Sequence, residues 1–309
     1  MKTFNSSHQM LQNLNTEEKC REYLEELRWH GEPVCPHCGS ISNYHYKLTQ
    51  NGEFKGLYKC KDCRKRFTVT IGTMFEGSHV PLDCWFYAIS VFLSHKKGIS
   101  SAQLARDIHV TQKTAWFMLH RIRHNIKDDD ATFDDMTQMD ETYMGGKTRN
   151  HGKGTQGRST KEKTPIFGMI SDGLVYAQVV PNVQKKTLYP IIKERVRKGS
   201  TIITDELGVY TALGKDYKHK TIPHKQHIYA VNGFHTNSIE GFWSHIKRGI
   251  KGIYHLASKK YLPKYCKEFV FRYNTRKQTD GERFNDFLQS FTERLYYGEL
   301  LMKPEWTWE

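Results

Sequence analysis

Four cysteines set the tightest constraint on this chain. Cys35 and Cys38 form one Cys-x-x-Cys pair, Cys60 and Cys63 form a second, and residues 39–59 lie between them. Two such knuckles can wrap one tetrahedral Zn²⁺ through four thiolates; the shell is then full, no position is left for water, and the ion is structural. His37 lies inside the first pair, but a shell of four sulfurs has no place for it. The intervening YHYKLTQNGEFKGLYKC alternates in polarity and contains Asn51–Gly52, a dipeptide suited to a tight two-residue turn, so it reads as a β-hairpin. The expected first domain, 1–79, is therefore a zinc ribbon preceded by a helix. Asn15 or Thr16 would cap that helix, which carries Tyr23, Leu24, Leu27 and Trp29. Cys20, Cys84 and Cys266 bring the cysteines to seven, an odd number that fits a reducing compartment and a metal, not a disulfide framework. The Arg64–Phe67 run, RKRF, suits a nucleic-acid or subunit contact, and a solvated charge run nearly as well.

The net charge of +14 points to a polyanionic partner. The excess is uneven: residues 1–130 hold 18 Lys+Arg against 14 Asp+Glu, whereas residues 131–309 hold 29 against 19. Between 241 and 280 there are 10 basic residues against 2 acidic ones. No apolar run reaches the roughly 18 residues of a membrane-spanning helix, and no signal-peptide pattern opens the chain. The expectation is a cytoplasmic protein with no membrane partner.

Residues 80–130 read as a second domain of three helices. Leu82–Ser94 is apolar and aromatic, a short helix follows from Ser100, His109–Val110 makes a turn, and Thr111 opens QKTAWFMLHRIRH. A short helix, a tight turn and a second helix with a polar start form the helix-turn-helix pattern. In that reading Thr111, Gln112, Lys113 and Thr114 reach base edges, while Trp116, Leu119 and Ile122 are core. The same spacing serves a helical bundle that never touches DNA. The acidic DDDATFDD, 128–135, is a linker and marks the boundary.

Residues 131–280 carry the chemistry. A strand ends near Asp140–Glu141, a Gly-rich basic loop follows, and PIFGMISDGLVYAQVV gives two strands around Asp172–Gly173. The helix KKTLYPIIKERVRKG, the short strand TIIT running into Asp205, a helix, and a strand over 218–223 complete the sequence before the next helix. That order is the order of an RNase H-like α/β domain with a mixed five-stranded sheet, so the whole chain is expected to be α+β and multidomain. Side chains alternate along a strand, so only one of Asp140 and Glu141 is expected at the site, and Asp140 is preferred. Glu206 fits a charge at a helix N-terminus.

The next helix is read from HTNSIEGFWSHIKRGIKG, 235–252. Ile239, Phe242, Trp243, Ile246 and Ile250 fall on one face, and Glu240, Ser244, Lys247 and Lys251 on another. Trp243 and Phe242 are expected in the core. His235 fits a phosphate contact or an ordinary loop histidine. Asp140, Asp205 and Glu240 brought to one point would repel, and so need cations. Mg²⁺ or Mn²⁺, with oxygen ligands and open water positions, meets that need; two ions about 4 Å apart can activate an attacking hydroxyl or water and stabilise the leaving oxygen.

With these pieces assembled, the chain resembles the DDE-type insertion-sequence transposases that have an N-terminal zinc ribbon and an ISXO-like catalytic domain. The likeness spans residues 20–275 and is most specific at DETYMGGK around Asp140, TDE around Asp205 and NSIEGFW with its following lysine. The resemblance implies a triad of two aspartates and a Glu or Asn, with a basic residue seven positions after the last acid. Carried over, these are Asp140, Asp205, Glu240 and Lys247, with 64 residues between the aspartates and 34 before Glu240. Asn237 is the alternative third member, but only Glu240 has the lysine. Arg248 and Lys251 would join Lys247 on DNA.

The resemblance further implies binding of inverted repeats, strand cleavage, strand transfer into target DNA, and a homodimer or larger synaptic assembly. A catalytically inactive zinc-ribbon, helix-turn-helix regulator and an RNase H acting on hybrids are the competing functions. The tail, 281–309, follows a basic aromatic helix, and both are expected to cover the sheet.

Overall fold

Thr16 opens the first long helix by accepting a hydrogen bond from the Lys19 N–H on its own hydroxyl. The computed structural model describes residues 3–127, 131–145, 163–223, 230–231, 233–289 and 293–302. The Gly-rich loop expected from Thr148 lies almost wholly outside them, as do the first three residues of the acidic linker. The chain divides into two compact units, Met1–Lys127 with Lys277–Met302, and Asp128–Arg276 with Lys303–Glu309. No helix among the described residues is long and apolar enough to cross a membrane.

In the first unit, helices α1 (Ser7–Asn13) and α2 (Glu17–Trp29) precede a three-stranded antiparallel sheet of β1 (Tyr46–Gln50), β2 (Glu53–Lys59) and β3 (Arg66–Phe67). Asn51 and Gly52 both take positive φ, 52° and 82°, as a tight hairpin turn of matching twist requires. Trp29 meets Tyr58 and Phe67 edge to face, so the ribbon's own aromatics seat it on α2. Helices α3 (Leu82–Ser94), α4 (Ser101–Asp107) and α5 (Gln112–His124) follow, as the periodicity predicts. Ser100 and Thr111 cap α4 and α5.

The second unit holds strands β4 (Thr137–Met144), β5 (Thr164–Ser171), β6 (Leu174–Val179), β7 (Thr201–Thr204) and β8 (Lys218–Thr221) in the spatial order β6-β5-β4-β7-β8. The first three form an antiparallel meander, and β7 and β8 run parallel to β4. A meander followed by two parallel strands on its first edge is the RNase H-like topology. Alternation on β5 sends Ile166 and Ile170 to one side of the sheet and Phe167 and Met169 to the other. Helix α6 (Lys185–Arg195) and the 3₁₀ segment Gly208–Lys215 cover the second side through Leu188, Ile192, Tyr210 and Leu213.

A two-stranded ribbon, β9 (Ala230–Val231) with β10 (Phe234–His235), leads into α7 (Asn237–Gly249), whose last turn continues as a π-helical turn, Ile250–Tyr254. Helices α7 and α8 (Leu262–Asn274) cover the first side of the sheet. The chain then returns to the first unit: α9 (Asp280–Leu288) packs on α3 and α1, and α10 (Tyr297–Leu301) ends the described residues. The tail is thus divided. The basic aromatic helix, α8, covers the sheet as expected; α9, which follows it, belongs to the first unit, where Phe284 finds its partners in Phe4 and Phe86.

Two further expectations change. β4 does not end near Asp140 but runs on to Met144, and the residues after Asp205 form a 3₁₀ segment instead of an α-helix.

Candidate functional site

The four cysteine sulfurs of the ribbon gather as the spacing predicts. Their Sγ atoms all lie within 4.8 Å of one another, with Cys35 to Cys63 and Cys38 to Cys60 both at 3.7 Å. A tetrahedron with Zn–S bonds of about 2.3 Å has edges of roughly 3.8 Å, so this donor set fits zinc and is too open for disulfides. Burial pushes the Cys35 thiol up to about 12 although the His37 and Cys38 N–H groups point to its sulfur, whereas at Cys60 the Cys63 and Asp62 N–H groups and the neighbouring cysteines outweigh burial and lower the thiol to about 6. His37 turns away and bonds the Arg66 carbonyl.

The four residues expected to read bases stand at the start of α5. Thr111 caps the helix, accepting from the Thr114 N–H, and the two hydroxyls bond at 2.9 Å. Lys113 lies over the Tyr297 ring. Thr111, Gln112 and Lys113 are exposed and Thr114 is half-buried. Leu119 and Ile122 are core, but Trp116 is only half-buried, set against the His120 ring.

The acids of the second unit meet at the edge of β4. Among the described residues, Asp140, Glu141 and Asp205 each offer a carboxylate oxygen within 4.8 Å of the others. The sequence admitted only one of Asp140 and Glu141, and the structure brings in both. The reason is the length of β7. It pairs with β4 only at Thr137 and Gln138 and stops at Thr204, so beyond Met139 that side of β4 faces no β7 residue. Asp140 leaves on the α7 side, where its Oδ2 accepts the Trp243 indole N–H at 3.0 Å. Glu141 leaves on the opposite side, where its Oε2 accepts the Tyr210 hydroxyl at 2.9 Å. Both then turn round the open edge towards Asp205, whose Oδ1 accepts from the Leu207 N–H at 2.9 Å. Burial, then the neighbouring Glu141 and Asp205 carboxylates, push the Asp140 pKa up to about 7. Burial also raises Glu141, partly offset by the Tyr210 hydroxyl.

Glu240 stands on the exposed face of α7, and its Oε1 accepts the Thr236 hydroxyl at 2.8 Å. It is not one of the three close carboxylates, but it lines the same cleft. That cleft, of ≈ 480 Å³, is bounded by Asp140, Glu141 and Thr142 on β4, and by Glu240, Trp243, Ser244, Lys247, Arg248 and Lys251 on α7 and the turn after it. Ile239, Phe242, Trp243 and Ile246 are buried on the reverse face and Ile250 is half-buried, as the periodicity predicts. Asn237 is exposed at the first position of α7 and does not line the cleft. The polar stripe therefore sets exposed cations about two to three turns along from Glu240.

Such a site brings closely spaced carboxylate oxygens against a wall of cations. The donor set suits a hard divalent cation, since Mg²⁺ and Mn²⁺ take carboxylate and water oxygens. Three residues that shape the site escaped the sequence reading in these roles: Glu141 as a third close carboxylate, Tyr210 as its donor, and Trp243 as the donor to Asp140. Only the tyrosine three residues past TDEL and the tryptophan at i+3 from Glu240 offered a signal, and both also read as core.

Comparison with known proteins gives a consistent picture. Residues 132–274 match the ISXO2-like transposase domain, and residues 15–66 match the transposase zinc-ribbon domain. A protein in transposable element ISH50 of Halobacterium salinarum is 24% identical over 292 residues, 89% of this chain and 97% of that protein. A transposase-like protein of Haemophilus influenzae is 39% identical over 101 residues, 32% of this chain and 80% of that one. Among solved structures, a pre-cleavage Mos1 transpososome overlaps at a TM-score of 0.24 with 12% identity, over 67% of this chain and 79% of that one. A Mos1 paired-end complex gives 0.21 with 13% identity, over 68% and 79%.

Proposed function

We propose that this chain, which belongs to the ISXO2-like transposases with a transposase zinc ribbon, is a metal-dependent DNA transposase that cuts at the ends of its element and joins them to a target. What carries this reading is the meeting of the Asp140, Glu141 and Asp205 carboxylates, two of which, Asp140 and Glu141, line a cleft walled by Lys247, Arg248 and Lys251.

Asp140 and Asp205, with Glu141 beside them, would hold one or two Mg²⁺ or Mn²⁺ ions, and Glu240 would complete the site from α7. Such cations, when bound, would supply a Lewis acid at the scissile phosphate and lower the pKa of the attacking hydroxyl. Trp243 and Tyr210 orient the two β4 carboxylates. Lys247, Arg248 and Lys251 bind the flanking phosphates, an electrostatic contact that weakens with salt. Cys35, Cys38, Cys60 and Cys63 hold a structural Zn²⁺. The exposed Gln112 and Lys113 at the start of α5, with the cap residues Thr111 and Thr114, form the face offered to duplex DNA. Pairing two element ends requires at least two protomers.

The test is cleavage of a labelled duplex made from the DNA flanking the gene, with Mg²⁺ or Mn²⁺, by wild type and by Asp205→Asn. Wild type should nick the duplex at the element end, and the variant should lose that activity by at least about 100-fold while still binding. DNA binding with wild type and variant equally inert would instead identify a regulator, and cleavage confined to RNA–DNA hybrids would identify a nuclease of another kind.

A further inference from the structure

One residue outside the acid cluster fixes where the α7 carboxylate can stand. A helix start leaves N–H groups without intrahelical partners, and the residue just before it supplies a side-chain oxygen. Thr236 holds that place before α7 but makes no such bond; its hydroxyl donates to Glu240 instead. The missing acceptor comes from another element. Oε1 of Gln138, on β4, accepts from the Ser238 N–H at 3.0 Å and the Ile239 N–H at 3.3 Å. The amide nitrogen of the same side chain lies 3.3 Å from Ser238 Oγ and 3.4 Å from His235 Nδ1. Every polar atom of this side chain is thus engaged with the entry to α7.

Gln138 and Asp140 are two residues apart on β4 and face the same side. Gln138 grips α7 at Ser238 and Ile239, and Asp140 takes the Trp243 N–H one turn on. Glu240 lies between these two anchors. Resting on the function proposed above, we infer that Gln138 is a positioning residue: a cap supplied by the strand, which sets the height and rotation of α7 and so places Glu240 against the acids of β4. Misplacement of a reacting group by about 1 Å can cost on the order of 100-fold in rate.

The experiment compares wild type, Gln138→Leu and Gln138→Glu on the labelled duplex, with Ile170→Val as a control for stability alone. Gln138→Leu keeps the bulk and removes the acceptor; Gln138→Glu keeps an acceptor oxygen at the helix start. The expected result is a kcat about 10- to 100-fold lower for Gln138→Leu, with KM for the duplex unchanged within about 2-fold, since the phosphate-binding cations are untouched. Gln138→Glu should recover most of that loss, and Ile170→Val, in the adjoining core, should keep wild-type kcat. Amide exchange over 236–243 should quicken in Gln138→Leu and not in Gln138→Glu.

If wild type cuts the duplex and Gln138→Leu cuts it equally well, or Gln138→Glu is as impaired as Gln138→Leu, the positioning role is wrong and the transposase reading stands. If wild type neither cuts the duplex nor binds Mn²⁺, the transposase reading falls and this inference with it, whatever the exchange data show of the cap.

Discussion

The indole N–H of Trp243 donates to Oδ2 of Asp140 across 3.0 Å, joining the apolar back of α7 to the carboxylate it covers. The indole is a donor only, so the bond holds Oδ2 of Asp140 as its acceptor and orients the carboxylate. Trp243→Phe keeps most of the packing and deletes the donor. DNA cleavage should fall about 10- to 100-fold, while the melting temperature changes far less than for Trp243→Ala. Equal activity for Trp243→Phe and wild type in a single-turnover assay would remove Trp243 from the site.

Gly168 is the seat of that tryptophan. It pairs with Asp140 across the sheet, and a Cβ there would stand 2.5 Å from the indole. Gly168→Ala must therefore push the ring off the strand, at a cost of about 1–3 kcal/mol of stability. Urea unfolding should show the loss, and cleavage should fall with it. An unchanged denaturation midpoint would mean that the indole sits elsewhere in solution.

Glu141 is the acid that strand alternation excludes and the geometry admits. Glu141→Gln should weaken Mn²⁺ binding about 10- to 100-fold, read from the free-ion signal in electron paramagnetic resonance. Tyr210→Phe should weaken it less, because only the orienting hydroxyl is lost. Were Glu141→Gln to bind Mn²⁺ as wild type does, with Asp140→Asn and Asp205→Asn both impaired, Glu141 would not be a ligand.

Asp140 holds its proton up to a pKa of about 7 in the metal-free protein, through burial and its two carboxylate neighbours. Its folded pKa lies above the ordinary aspartate value, so the folded state binds more protons across that window, and its stability falls as pH rises towards 7. Asp140→Asn should therefore raise the melting temperature of the metal-free protein at pH 8 by roughly 2–4 °C for each kcal/mol relieved, and less at pH 5. Mn²⁺ must displace the same proton, so its affinity should climb with pH below about 7 and level off above. An affinity flat from pH 5 to 8 would contradict that arrangement.

Removing zinc tests the ribbon separately. Chelation, or Cys35→Ser, should release one equivalent of Zn²⁺ and loosen the packing of Trp29 on Tyr58 and Phe67, visible in tryptophan fluorescence. Detection of no bound zinc in protein purified without chelator would refute the site.

The parts of this fold that a local pattern controls were legible in the sequence. The cysteine pairs, the Asn51–Gly52 turn, the three helices of 82–124 and the two faces of α7 each follow from spacing along one segment. What escaped depends on the lengths of neighbouring elements. Glu141 joins the acids because β7 stops at Thr204, and four residues of strand cannot be told from six by composition. Helix α7 carries no cap of its own because a glutamine about a hundred positions earlier provides one, and no local signal marks that. Helix α9 leaves the sheet because Gly281 fits directly against the Phe4 carbonyl, where a Cβ would come within 1.8 Å.

That last contact inverts the order of maturation on the ribosome. The amino-terminal unit is begun first, yet it lacks α9 until residues 280–288 have been made, by which point everything from Asp128 to Arg276 has been synthesised. The stretch Asp128–Arg276 of the sheet unit, able to fold as a unit, is thus synthesised while the amino-terminal body still awaits α9. A chain cut after Arg276 would spare the sheet and undo the beginning of the protein.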